Sequence, residues 1–363
     1  MNKNTEGIMQ YVADKEHVKM LGRTYPADGT LWLAYSGAGI EFEVTGTKAE
    51  ICFCGDTSAK ECEGDENCAR FAVYLDGERI ADEMMNRPVK SITVFAGEVK
   101  RTAIVRVVKL SETAMSTLGI TALVVENGEI TKTDNKELFI EFVGDSITCG
   151  YGVDDEDENH SFATRTEDVT RAYAYKTAAA LAADYSMVSI SGYGIISGYT
   201  EDGNIVDSQR LPKYYDKLGF SYATSKNFKV EDIQWDFSVR EPDVIVINLG
   251  TNDASYCKED ANRQAQYRDG YTDFLKQVRL KNLGARIFCG LGIMGDTLYN
   301  SMMEAVKRYS EETGDTNIDT LHFDAIAEGE GYVADWHPTE VTHTRAAKVL
   351  TDKLQEYFCN RSK

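Results

Sequence analysis

Clusters of Lys and Arg are missing from this chain, and so are long apolar runs. Its 363 residues hold 39 Lys and Arg against 59 Asp and Glu, a formal net charge of −20. A surface that tracks nucleic-acid phosphates needs clustered cations, so neither DNA nor RNA is an expected partner. No stretch approaches the roughly 20 apolar residues of a membrane span, and no membrane partner is expected either. The first ten residues are polar, without the apolar run of about 7–15 residues or the small-residue cleavage site of a secretory signal. The expected address is therefore the cytoplasm. The excess carboxylates read as solubility charge that favours neutral or cationic partners and carries no catalytic meaning.

Zinc-like spacing is also lacking. Four of the eight cysteines, Cys52, Cys54, Cys62 and Cys68, crowd one stretch, but their spacings match no common metal pattern. In a reducing compartment such thiols stay free, so no metal is expected there.

The composition, 42% hydrophobic and 27% charged, is that of a folded globular protein, and the length suits two domains better than one. Residues 22–125 read as short strands separated by turns. Segments 40–44, 70–75, 91–95 and 102–108 are aromatic and β-branched, and Asp76-Gly77 reads as a hairpin turn. An antiparallel sandwich is the economical arrangement of so many short strands. The polar segment 126–136 breaks that rhythm and marks a seam, giving domains at 1–133 and 134–363.

Beyond the seam, strand and helix alternate. Strands are expected at 138–143, 187–190, 243–249 and 285–289, with helices over 172–184, 265–281 and 342–358. A further helix carries Met302, Val306 and Tyr309 before a stop at Gly314. Alternation of this kind implies a parallel sheet covered by helices on both faces. A less regular insertion rich in Tyr, 198–240, is expected to roof or line a pocket.

The run from Phe142 to Gly152, Phe-Val-Gly-Asp-Ser-Ile-Thr-Cys-Gly-Tyr-Gly, sets Ser146 just past the carboxyl end of the first of these strands, the edge where open α/β sheets gather ligands. Three more blocks reach the same edge: Ser191-Gly192-Tyr193-Gly194, Gly250-Thr251-Asn252-Asp253, and Asp335-Trp336-His337-Pro338 before the last helix. Together they suit acyl transfer. A serine hydroxyl needs a base to take its proton, which a neutral imidazole supplies. An oxyanion needs preorganised donors, here the N–H groups of Ser146 and Gly192 and the side chain of Asn252. Gly194 is an alternative donor. Cys149 reads as a small buried support of the turn and Asp253 as a turn cap. Of the five histidines, His17, His160, His322 and His343 read as surface or packing residues.

This order of blocks resembles the SGNH (GDSL-type) hydrolases, with Ser146, Gly192, Asn252 and His337 at the four name-giving positions. The β-rich first half preceding them resembles carbohydrate esterase family two. That resemblance implies a jelly-roll sandwich followed by a three-layer, flavodoxin-like α/β hydrolase domain, and the removal of acetyl groups from plant polysaccharides or their oligosaccharides without a metal or other cofactor. The expected partner is an acetylated oligosaccharide or polysaccharide, with the number of subunits open.

Two features depart from the pattern. The acid of the last SGNH block usually stands three residues before the histidine, but position 334 is alanine and the nearest carboxylate is Asp335. The histidine is then oriented either by Asp335 or, as the family allows, by a main-chain carbonyl. Trp336, Trp235 and Tyr193, with Tyr199, Tyr214 and Tyr215, would suit a sugar-binding rim. The first domain is a packing partner or a carbohydrate-binding module. Two other functions stay open: a lipid esterase or thioesterase on the same scaffold, and a carbohydrate-binding protein with a relic active site.

Overall fold

The structure, a computed structural model, describes residues 7–60 and 67–361; Cys62 and the first six residues lie outside the described residues. The chain divides into two compact units. One comprises Met1–Asn135, Ala163–Arg165 and Lys217–Ile233, the other Lys136–Phe162, Thr166–Asp216 and Gln234–Lys363.

Among the described residues of the first unit ten strands pair into one curled antiparallel sheet. The expected sandwich therefore has no break between two sheets. Two long strands, Gly39–Gly55 and Val89–Lys109, carry the ladder round. In the first of them Ile40, Phe42 and Val44 face the core, and further along Ala49, Ile51 and Phe53 do. The inward phase changes from even to odd positions because the register shifts between Gly46 and Lys48; a second shift, between Ala49 and Glu50, has its extra residue on the partner strand. Bulges of this kind bend a strand and flip its faces. The expected strands 91–95 and 102–108 are the two ends of Val89–Lys109, whose middle residues are exposed and so carry no inward alternation to read.

Three further expectations change here. The seam segment contains a strand of its own, Glu129–Lys132, paired with Gly39–Gly55. Part of the Tyr-rich insertion, Lys217–Ile233, belongs to the first unit, because Tyr222 N–H donates to the Ala114 carbonyl and Phe228 packs edge-on against Tyr25 and Trp32. Cys68 is disulfide-bonded, whereas Cys52 and Cys54 are free thiols as expected. The hairpin at Asp76-Gly77 forms with both residues at positive φ, 52° and 88°, as a two-residue turn between twisted strands requires.

The second unit holds five parallel strands in the spatial order Asp184–Ser189, Phe139–Gly144, Val244–Asn248, Arg286–Gly292, Ile318–Phe323. Numbered along the chain this is 2-1-3-4-5, the flavodoxin-like order, whose direction reverses between strands one and three. The inner strands are nearly all buried along their length, as a sheet covered on both faces demands. Helix Tyr173–Ala180 packs with Glu340–Arg361, and Ala261–Lys281 packs with Tyr299–Thr313. Gly314 closes the last of these four in the left-handed conformation, φ 74°. No helix among the described residues is long and apolar enough to cross a membrane.

Candidate active site

Ser146 opens a single helical turn, Ser146–Cys149, directly after the strand Phe139–Gly144. The Asp145 side chain caps that turn by accepting the Ile147 N–H at 3.0 Å. Gly150 ends it at φ 80°. The Ser146 N–H stands at the first position of the turn, where no intrahelical acceptor exists. A side chain at Gly144 would run into Thr148, its Cβ 2.0 Å from Oγ1, so the strand must end in glycine for the turn to begin there.

His337 comes from a small hairpin in which Tyr332–Val333 pairs with His337–Pro338. The Nε2 of His337 lies 2.9 Å from Ser146 Oγ. Its Nδ1 lies 3.1 Å from the carbonyl oxygens of both Ala334 and Asp335. A carbonyl only accepts, so Nδ1 carries the proton and the Nε2 lone pair faces the serine hydroxyl. Burial pushes the imidazole down to about 4, against the opposing pull of those two carbonyls; at neutral pH it is an uncharged base.

Asp335 meets the histidine with its main chain and not with its carboxylate. The carboxylate Oδ2 instead accepts the Tyr151 hydroxyl at 2.5 Å and the Phe162 N–H at 3.1 Å. A Ser-His-Asp triad is thereby replaced by a serine and a histidine held by backbone. The reason is local geometry: Asp335 and Trp336 both adopt left-handed backbone, φ 51° and 61°, which turns their side chains away and brings the carbonyls round to Nδ1.

Besides the Ser146 N–H, the proposed oxyanion donors come from the other two loops. Gly192 has φ 80°, a conformation open to glycine, and its carbonyl accepts the Tyr199 N–H at 2.9 Å. The Asn252 amide nitrogen donates to the Tyr193 carbonyl at 2.9 Å and approaches Asp145 Oδ2 at 3.3 Å. Gly194 does not qualify: its N–H already donates to the Gln209 carbonyl at 3.1 Å. Asp253 accepts from the N–H groups of Ile195, Ile196 and Ser197, tying the second loop to the third. Burial raises Asp145 to about 7 and Asp253 to about 6, so burial disfavours the charged form of both carboxyls.

The aromatic residues divide. Trp336 is 55% exposed beside His337 and touches Tyr332, ring centroids 5.3 Å apart. Tyr193 and Tyr215 are core residues instead of rim, at 2% and 0% exposure; the Tyr193 ring packs edge-on against Tyr214, and the Tyr215 hydroxyl donates to Glu141. Trp235 is half-buried in the loop before Val244–Asn248, its backbone N–H donating to the Asp216 carbonyl. Cys149 is fully buried and donates to Ser189 Oγ. His343, buried in the last helix, accepts the Tyr173 N–H on Nδ1 at 3.2 Å and so caps a neighbouring helix. Of the two orienters expected for His337, the main-chain carbonyl is the one found, and it is two carbonyls, Ala334 and Asp335. Sequence reasoning missed Tyr151 and Phe162, of which only Tyr151 left a trace, as part of the Ser146 run.

Residues 142–345 match the GDSL-like Lipase/Acylhydrolase family. The chain belongs to that family. By family it is a carboxylic ester hydrolase, and residues 20–133 match the Carbohydrate esterase 2 N-terminal family. Among curated proteins it is 28% identical over 327 residues to the cellulase/esterase CelE of Acetivibrio thermocellus, covering 89% of this chain but 37% of that protein's length. It is 25% identical over 370 residues to an acetylxylan esterase / glucomannan deacetylase of Cellvibrio japonicus, covering 97% of this chain and 93% of that one. The fold is that of an acetyl xylan esterase from the rumen bacterium Butyrivibrio proteoclasticus, with a TM-score of 0.85, 24% identity, and 97% and 99% of the two chains covered.

Proposed function

We propose that the chain is a serine carbohydrate esterase that removes O-acetyl groups from xylan-derived or related oligosaccharides through an acyl-enzyme. The observation that carries this reading is the 2.9 Å approach of an uncharged His337 Nε2 to Ser146 Oγ. The names of the relatives supply the sugar.

In the first half-reaction His337 Nε2 takes the Ser146 proton while Oγ bonds to the acetyl carbonyl carbon. The carbonyl oxygen becomes an anion that the N–H groups of Ser146 and Gly192 and the Asn252 amide stabilise. The C–O bond to the sugar then breaks, and the imidazolium gives its proton to the departing sugar oxygen. In the second half His337 takes a proton from water, the hydroxide bonds to the acyl carbon, and acetate leaves as Ser146 regains its proton. Throughout, the imidazolium is held by two carbonyl dipoles instead of a carboxylate. Trp336, exposed beside the base, is the proposed platform for the face of the sugar ring.

Acetate release from acetylated xylose, mannose and glucose derivatives tests this reading, together with nitrophenyl esters of increasing acyl length. Acetyl sugars should be turned over, acetate should be preferred to octanoate, and Ser146→Ala should release none. Wild-type acetate release by Ser146→Ala would overturn the mechanism; preference for octanoate would replace the substrate class with lipid or thioester.

A further inference from the structure

Tyr151 touches both halves of the machinery that holds His337. Its ring lies almost parallel to the imidazole, with centroids 3.9 Å apart and 20° between the planes. The same ring packs on Phe162 at 4.7 Å. Its hydroxyl donates to Asp335 Oδ2, which also accepts the Phe162 N–H, and the Asp335 N–H donates to the His160 carbonyl at 3.0 Å. Residues 151–162 thus make three hydrogen bonds to the one residue that starts the left-handed turn before the base.

We infer that Tyr151 is a positioning residue with two separable tasks: its hydroxyl, through Asp335, fixes the turn whose carbonyls hold Nδ1, and its ring shields the imidazole from water.

The first task follows from the planarity of the peptide unit. The amide joining Ala334 to Asp335 donates on one side to His160 O and accepts on the other from His337 Nδ1. Anchoring its N–H therefore aims its carbonyl. Consecutive non-glycine residues at positive φ persist only where their surroundings over-determine them, and the carboxylate of Asp335 supplies that constraint through Tyr151 and Phe162. The 151–162 segment is itself pinned at its start, where Arg171 pairs with Asp154 and also binds Glu340 in the last helix.

The second task follows from what His337 lacks. With no carboxylate on Nδ1, only carbonyl dipoles meet the proton there, and burial outweighs them and keeps the ring neutral. The titratable groups facing the ring are the Asp335 carboxyl, which pulls its pKa up, and the His343 imidazole, whose charge and that of His337 repel each other. An aromatic face excludes water in the resting state and still interacts favourably with the imidazolium that forms during turnover.

This inference rests on the serine esterase reading. It is tested with three variants of the full chain on nitrophenyl acetate, and with an NMR titration of the His337 ring in the resting protein, which needs no turnover. Tyr151→Phe keeps the ring and loses the hydroxyl: kcat should fall about tenfold to a hundredfold, with KM within about twofold and the imidazole titration unmoved. Asp335→Asn should match it in kcat and KM, and the double variant should lose no more kcat than either single one, as coupled residues do. Tyr151→Ala admits water, so the imidazole midpoint and the acidic limb of kcat/KM should rise together by about one pH unit or more toward the ordinary histidine value. Wild-type kcat in Tyr151→Phe, additive losses in the double variant, or an unmoved titration in Tyr151→Ala overturns the inference. Should Tyr151→Ala fail to fold, the Tyr151→Phe and Asp335→Asn cycle decides it. Loss of turnover in Ser146→Ala checks the underlying reading separately.

Discussion

His337 Nδ1 lies 3.1 Å from the main-chain oxygen of Ala334, in the place where a triad would hold its acid. A backbone carbonyl fixes the tautomer as a carboxylate does, but it brings a dipole and not a charge. In a triad, replacing the acid lowers kcat by about four orders of magnitude because the wrong tautomer results. Here Asp335→Ala leaves both accepting carbonyls in the chain. Its kcat should therefore fall by no more than about a hundredfold, while Ser146→Ala removes turnover. Steady-state kinetics on an acetyl ester decide the matter, and a loss of about ten-thousandfold in Asp335→Ala would restore the carboxylate to the catalytic group.

That substitution of backbone for side chain also marks where sequence reading stops. Ser146, Asn252 and His337 stand out because particular side chains follow buried apolar strands or precede a helix. The helix bearing Met302, Val306 and Tyr309 stands out because its apolar residues recur at helical spacing. A carbonyl has no such signature, since every residue carries one. Burial of Tyr193 and the seating of Phe228 in the first unit arise from contacts between residues far apart in the chain, so a rim of aromatics could not be told from a core. The long strands Gly39–Gly55 and Val89–Lys109 read as fragments because bulges and an exposed stretch interrupt the alternation by which strands are recognised. His343 is hidden for a similar reason: within its own helix it is one more packed residue, and its work as a cap is done on Tyr173, 170 positions away.

Asn252 offers two amide protons and already faces two acceptors, Tyr193 O at 2.9 Å and Asp145 Oδ2 at 3.3 Å. The shorter bond orients the amide; the longer one is the weaker and is the one an oxyanion would draw away. On this geometry the side chain donates chiefly in the transition state. Asn252→Ala should lower kcat by roughly a hundredfold to a thousandfold, as loss of one oxyanion donor does, with little change in KM. Retention of kcat within about threefold would remove Asn252 from the oxyanion site.

Asp145 also gives the site a pH-dependent weakness. Burial first, and the nearby Asp253 charge, raise its carboxyl from 3.8 to about 7, against the Ile147 N–H that lowers it. Below pH 4 the folded and unfolded chains both carry this proton. Between about 4 and 7 the folded chain keeps a proton that the unfolded chain has lost, so this group's contribution to stability declines as pH rises through that window and is gone above it. Asp145→Asn cannot ionise. The altered hydrogen bonding to Asn252 shifts its stability by an amount that does not vary with this titration. The Tm of Asp145→Asn minus that of the wild type should therefore rise by a few degrees between pH 5 and pH 8. Thermal unfolding of the two proteins across that range measures it, and a flat or falling difference would mean that Asp145 is charged in the folded protein at pH 5.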